Sequence, residues 1–110
     1  MDVLSSTTPK ARKDHQCNYC EETIPEGQIY HNHICVQDYI YQWKTHVNCE
    51  KLSNEFWRSF PEWLDSSYGM TTEDFNECLN QAVSELENAE EVIYLSKAEQ
   101  IEVLIKHYEL

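Results

Sequence analysis

The chain is organised around two short pairs of metal-ligand side chains. Cys17-Asn18-Tyr19-Cys20 carries the first at C-x2-C spacing, and His46-Val47-Asn48-Cys49 the second at H-x2-C spacing. A tetrahedral ion takes four ligands arriving from two directions, and a turn on which two thiolates converge supplies one side of that tetrahedron. Residues three apart share a helix face, so the second pair suits a first helical turn. The spacing therefore predicts one structural zinc ion held by Cys17, Cys20, His46 and Cys49. The competing reading takes them as ordinary core cysteines and a surface histidine. With five Cys and five His in the chain, chance placement into two x2 pairs is the weaker account.

A metal ion also answers a problem of size. An N-terminal module of about 50 residues is too small to hold itself together by hydrophobic burial alone, whereas a structural zinc contributes on the order of 10–16 kcal/mol in small metal-folded domains. Five cysteines, an odd number, argue against a closed disulfide framework and for a reducing compartment. No stretch approaches the length of a membrane span, and residues 1–10 lack the apolar region of a signal peptide. The expectation is a cytoplasmic protein without a membrane association.

In chain order, residues 1–11, with Ser5-Ser6-Thr7-Thr8, have coil composition and are expected to form a flexible leader. Residues 12–60 are expected to form the zinc module. Within it Ile24-Pro25-Glu26-Gly27 has turn chemistry, the stretch from Gln28 alternates, and Tyr39-Ile40-Tyr41-Gln42-Trp43 has strand composition. An antiparallel hairpin with Val36-Gln37-Asp38 as its connection follows. Thr45 reads as a helix N-cap, placing His46 and Cys49 at N1 and N4, with Leu52, Phe56 and Phe60 as the buried stripe up to Pro61. Residues 61–110 are expected to form an acidic helical extension packed on the module. After a break at Gly69, Thr71 and Asp74 form a capping-box variant with Met70 and Phe75 as the staple. Phe75, Cys78, Leu79, Ala82, Val83 and Leu86 then make one apolar stripe. Residues 92–95 fit a helix end, an extended connection or an edge strand. Ser96 and Glu99 open a last helix whose face is Ile101, Leu104, Ile105 and Tyr108.

A C-x2-C knuckle, a hairpin and a helix whose first turn carries the remaining ligands resemble the treble-clef zinc finger over residues 12–60. The fold class implied is α+β: a small treble-clef-like zinc module followed by two or three helices. The stretches 11–20, 24–30 and 41–49, and later Gly69-Met70-Thr71-Thr72-Glu73-Asp74-Phe75, are similar to small uncharacterised proteins of phages, prophages and mobile elements. That resemblance implies no established activity. By analogy with small acidic proteins of such elements, it suggests binding, and inhibition, of a host protein.

Charge discriminates among functions. The formal net charge is -12, and it is uneven: residues 1–53 carry 7 acidic and 5 basic side chains, residues 54–110 carry 13 and 3. Such a field repels phosphates and favours a basic protein partner. The preferred reading is a non-enzymatic interaction protein, its acidic helices steering a basic host protein and its aromatic hairpin supplying an anchor. A homodimer through the two apolar stripes stays open. The first alternative is a nucleic-acid-binding finger using Lys10, Arg12, Lys13 and Lys44 with Tyr19, Tyr30, Tyr39, Tyr41 and Trp43, although few cations give weak, salt-sensitive binding. The second is an HNH-like nuclease relative, with His31-Asn32-His33 and His15 as candidates. No helix bearing further catalytic His and Asn follows, and four protein ligands leave a zinc ion no open position. Cys78 reads as core, Cys35 as a substitute ligand only if the register shifts, and His107 as solvent-side near a helix end.

Overall fold

The computed structural model describes residues 2–36, 38–64 and 70–110; the expected connection at Gln37 and the break at Gly69 lie outside them. The chain runs β1 (Asp2–Thr7), β2 (His15–Gln16), β3 (Thr23–Ile24), β4 (Tyr30–Val36), β5 (Ile40–His46), α1 (Val47–Ser59), a 3-10 turn (Pro61–Trp63), α2 (Thr72–Ser84), α3 (Ala89–Val92) and α4 (Lys97–His107). The class is α+β. β4 and β5 form the expected antiparallel hairpin, paired from Val36 with Ile40 to Tyr30 with His46. A second, two-stranded ribbon joins β2 to β3 across the Cys17–Cys20 turn.

Two expectations need correction. Residues 2–7 are an edge strand, not a coil: β1 lies antiparallel to β4 in a sheet of order β1-β4-β5, with a bulge between Val3 and Ser5. The segment after it is pinned as well, since Tyr30 N donates to Pro9 O (3.1 Å), Ala11 N to Gln28 O (2.9 Å) and Gly27 N to Ala11 O (2.8 Å). The free edge of β4 carries backbone groups that need partners, and any nearby extended segment satisfies them whatever its side chains. Gly27, at φ 90°, supplies the left-handed turn that brings Gln28 back to Ala11.

The second correction is the start of α1. Pairing of β5 with β4 continues to His46, so Thr45 stays in the strand, fully buried, and His46 is the N-cap. The Thr45 hydroxyl donates to Glu50 Oε2 at 3.1 Å rather than capping the helix. The strand ladder outcompetes the cap. The later starts form as read: Thr71 Oγ1 accepts from Asp74 N and Asp74 Oδ2 from Thr71 N, and Ser96 Oγ accepts from Glu99 N. The ambiguous run at 92–95 begins as the end of the short helix α3.

One core joins the knuckle, the hairpin and the helices. Tyr19 stacks on Phe75 with centroids 4.8 Å apart and meets Trp43 edge-on at 5.4 Å, and Phe56 lies 5.4 Å from Phe75. Leu52, Leu79, Val83 and Leu104 close around these rings. The stripes of α2 and α4 pack against each other and against α1 inside the chain. Cys78 is buried on its stripe, and that burial, with Asp74 nearby, pushes its thiol up to about 11. Among the described residues, no helix is long and apolar enough to cross a membrane.

Phe75→Ala is expected to cost about 3–5 kcal/mol, because it empties the ring cluster shared by all three parts. The metal-loaded protein should unfold in a single cooperative transition in urea. Separate transitions by near- and far-UV circular dichroism would show that the helices fold apart from the sheet.

Candidate metal centre

The four residues singled out by spacing meet in space. The Sγ atoms of Cys17, Cys20 and Cys49 and a ring nitrogen of His46 all lie within 4.8 Å of one another, with the three thiols buried and the imidazole half-buried. A tetrahedral ion with bonds of about 2.0–2.3 Å sets its ligand atoms roughly 3.5 Å apart. His46 Nδ1 stands 3.3 Å from Cys20 Sγ and 3.7 Å from Cys49 Sγ. The group could hold a metal ion.

Local geometry explains the convergence. The Cys17–Cys20 turn closes with Glu21 N donating to Cys17 O (3.0 Å) and Cys17 N to Glu22 O (2.9 Å). Glu21 sits at φ 66°, the left-handed region where an L side chain is strained. On the other side, His46 ends β5 and caps α1, so Cys49 follows in the first helical turn. His46 Nε2 lies 3.0 Å from Thr23 O. A carbonyl only accepts, so Nε2 carries a proton, and Nδ1 is the nitrogen turned to the sulfurs where it would bind an ion, the arrangement that orients metal-binding histidines. His46 N also donates to Cys17 Sγ at 3.5 Å. A groove of about 500 Å³ lined by Cys20, His46, Cys49 and Ile101 gives an ion a path to the cluster.

Charge is shared across the cluster. Hydrogen bonds from Cys20 and Cys49 hold the Cys17 thiol far below the ordinary thiol range, while Cys17 and Cys20 push Cys49 far above it. Contact with Cys17, then Cys20, raises His46 to about 10. These thiols are too close to ionise independently, and a divalent cation would relieve that conflict by binding all three as thiolates, leaving the site one negative charge.

The knuckle is also clasped from outside by contacts that the spacing did not announce. Three consecutive carbonyls accept side-chain donors from the helical half: Asn18 O from Thr72 Oγ1, Tyr19 O from Asn76 Nδ2 at 3.2 Å, and Cys20 O from Lys97 Nζ at 3.2 Å. Asn18 in turn locks onto β5, its N donating to Lys44 O (2.7 Å) and its Oδ1 accepting from Lys44 N (2.9 Å). Nothing in the order of Thr72, Asn76 and Lys97 marks them. Only their projection from α2 and α4 toward the turn does.

The remaining candidates stand elsewhere. Cys35 is buried in β4 opposite Tyr41, outside the cluster. His31 and His33 share a strand face with parallel rings 6.1 Å apart. His33 bridges Ser6 Oγ (2.7 Å, from Nδ1) and Glu50 Oε1 (3.1 Å, from Nε2). That Ser-His-Glu chain ties the edge strand β1 to the central strand β4 and to α1, and it lines neither this groove nor the cavity walled by His15, Tyr30 and Asn32. His15 sits 3.3 Å from Lys44 Nζ, and burial, then the charges of Lys44 and Lys13, lower its pKa. His107 is exposed, edge-on to Tyr108. In comparison with known proteins, no family model, no curated protein and no solved structure matches the chain.

Cys17→Ala and Cys49→Ala are expected to abolish metal loading and to unfold the knuckle and hairpin together; an unchanged melting temperature in either would overturn a structural role for the ion. Loading should be lost as pH falls, because protons compete for the three thiolates. Thr72→Val and Asn76→Ala, which leave every ligand in place, should each cost about 1–2 kcal/mol by orphaning a knuckle carbonyl, read by urea denaturation of the loaded protein.

Proposed function

We propose that the chain is a non-enzymatic interaction module of treble-clef type, stabilised by one structural zinc ion, that binds a basic protein partner in a reducing compartment. Three thiolates and an imidazole suit a soft or borderline cation and disfavour Mg2+ and Ca2+, which prefer oxygen. Four protein ligands complete a tetrahedron and leave no position for an activated water. The order of the β2–β3 knuckle, the β4–β5 hairpin and α1 along the chain supports the treble-clef reading. All five cysteines are free thiols, consistent with reducing surroundings.

The observation that carries the reading is the surface of the helical half. Tyr94 is 85% exposed and Ile93 52% exposed on the link from α3 to α4, with the exposed carboxylates of Glu87, Glu90 and Glu91 just before them. Aromatic side chains ringed by charge make effective anchors: the carboxylates steer a cationic partner and the ring is buried on contact. The hairpin tip offers a second apolar surface, Tyr39 and Ile40, each 68% exposed. By analogy with small acidic proteins of phages and mobile elements, a host protein is the proposed target and its inhibition the proposed outcome. A partner whose own ligand is nucleic acid fits best, since an acidic surface competes for a cationic groove.

Metal analysis of the purified protein should give one zinc per chain. Affinity capture from a host lysate should return a basic protein that is released as salt rises, screening the attraction, and Tyr94→Ala should weaken that complex at least about tenfold. Tight mobility shifts with DNA or RNA at low salt, or capture insensitive to both salt and Tyr94, would sink the reading.

A further inference from the structure

The open face of the sheet carries a feature that the acidic helices do not explain. Lys10, Arg12 and Lys13, the only basic cluster in a chain of net charge -12, surround a cavity of about 480 Å³ whose wall includes His15, Tyr30 and Asn32. No acidic side chain lines it. The cations project from an anchored backbone: Lys10 bridges to Ile29, and the residues on either side of it hydrogen-bond to Tyr30 and Gln28. Among the described residues, neither ion pair, His33 with Glu50 or Arg58 with Glu55, involves any of the three. The nearest acid in sequence, Asp14, is occupied elsewhere, its Oδ1 accepting from Glu26 N at 2.8 Å. Lys44, paired across the strands with Asn32, reaches the cavity-lining His15 and brings a fourth positive charge near the cavity without lining it.

A second observation is independent of charge. Asn32 Oδ1 is buried with no hydrogen-bond partner. An orphaned buried acceptor is costly, and native proteins keep one where a ligand or water completes it. Turned over, the amide presents its NH2 at the same place, so an unpaired polar group stands there in either orientation. Charge-assisted donors at the mouth suit a phosphate, and an amide suits the hydrogen-bonding edge of a heterocycle, as Asn reads adenine. The volume falls within the roughly 300–1,000 Å³ of small-molecule sites, and four cations are too few to hold a long polyanion against this net charge.

We propose that this cavity binds a nucleoside phosphate, with Lys10, Arg12 and Lys13 on the phosphate and the Asn32 amide on the base. The site is separate from the metal cluster and from Ile93 and Tyr94, so it gives the protein a small-molecule input distinct from its partner surface.

The test is titration calorimetry on the full, metal-loaded chain at low salt, with adenosine 5′-monophosphate, ribose 5-phosphate and inorganic phosphate as probes. The nucleotide is expected to bind at least about tenfold more tightly than the two baseless phosphates. Asn32→Ala should erase that difference without lowering the melting temperature, and the triple variant Lys10→Ala, Arg12→Ala, Lys13→Ala, altered only at exposed positions, should lose binding of all three. Absence of nucleotide binding up to about 1 mM, equal affinity for ribose 5-phosphate, or affinity unchanged in the triple variant would each overturn the proposal. So would tighter binding of a single-stranded oligonucleotide lacking terminal phosphates, which would make the face a nucleic-acid surface instead.

Discussion

The fold depends on one turn, Cys17–Cys20, held from three sides. Its sulfurs face His46 and Cys49 at the junction of β5 and α1. Its backbone at Asn18 is tied to Lys44 of β5. Its carbonyls at 18, 19 and 20 are taken by Thr72, Asn76 and Lys97. A turn of this kind has no regular ladder to satisfy its backbone groups, so each must find a partner or water. Here the partners come from elements distant in sequence, and the turn becomes the place where sheet, first helix and helical half are joined. Tyr19 adds an apolar tie by stacking on Phe75.

That arrangement explains which parts of the protein could be read from its sequence. Ligand spacing is local chemistry, and so are helix starts: Thr71 with Asp74 and Ser96 with Glu99 declare themselves because the capping groups lie three residues apart. Apolar periodicity in α2 is equally local, and Phe75 through Leu86 are buried as the period demands. Strand β1 left no such mark, because an edge strand is selected by the free edge of β4 and not by Ser5, Ser6 or Thr7 themselves. Thr45 misleads for a related reason. Its residue type suits a cap, but the pairing of His31 with Thr45 keeps it in the sheet, and Glu50 claims its hydroxyl. The clasp on the knuckle carbonyls is wholly tertiary and has no sequence signature.

The molecule also separates its charge. The carboxylates lie mainly on the helical half, while Lys10, Arg12 and Lys13 line one cavity on the sheet and Lys44 reaches its His15. A protein with both faces orients as a dipole in the field of a charged neighbour, so approach is directed before contact is made. The basic face would repel the cationic partner proposed for the acidic face, which would restrict docking to one orientation.

His46 closes β5, caps α1 and turns Nδ1 to the sulfurs. These are three roles in one residue, and they tie metal chemistry to strand alignment. In a hairpin a slip of one residue exchanges the two faces of the strand. A slipped β5 would swing the imidazole away from the thiols and leave the ion one ligand short. Capture of an ion at this cluster would therefore proofread the hairpin. Only a chain that has paired Tyr30 with His46 would be sealed, and misaligned chains would remain free to dissolve their pairing and try again.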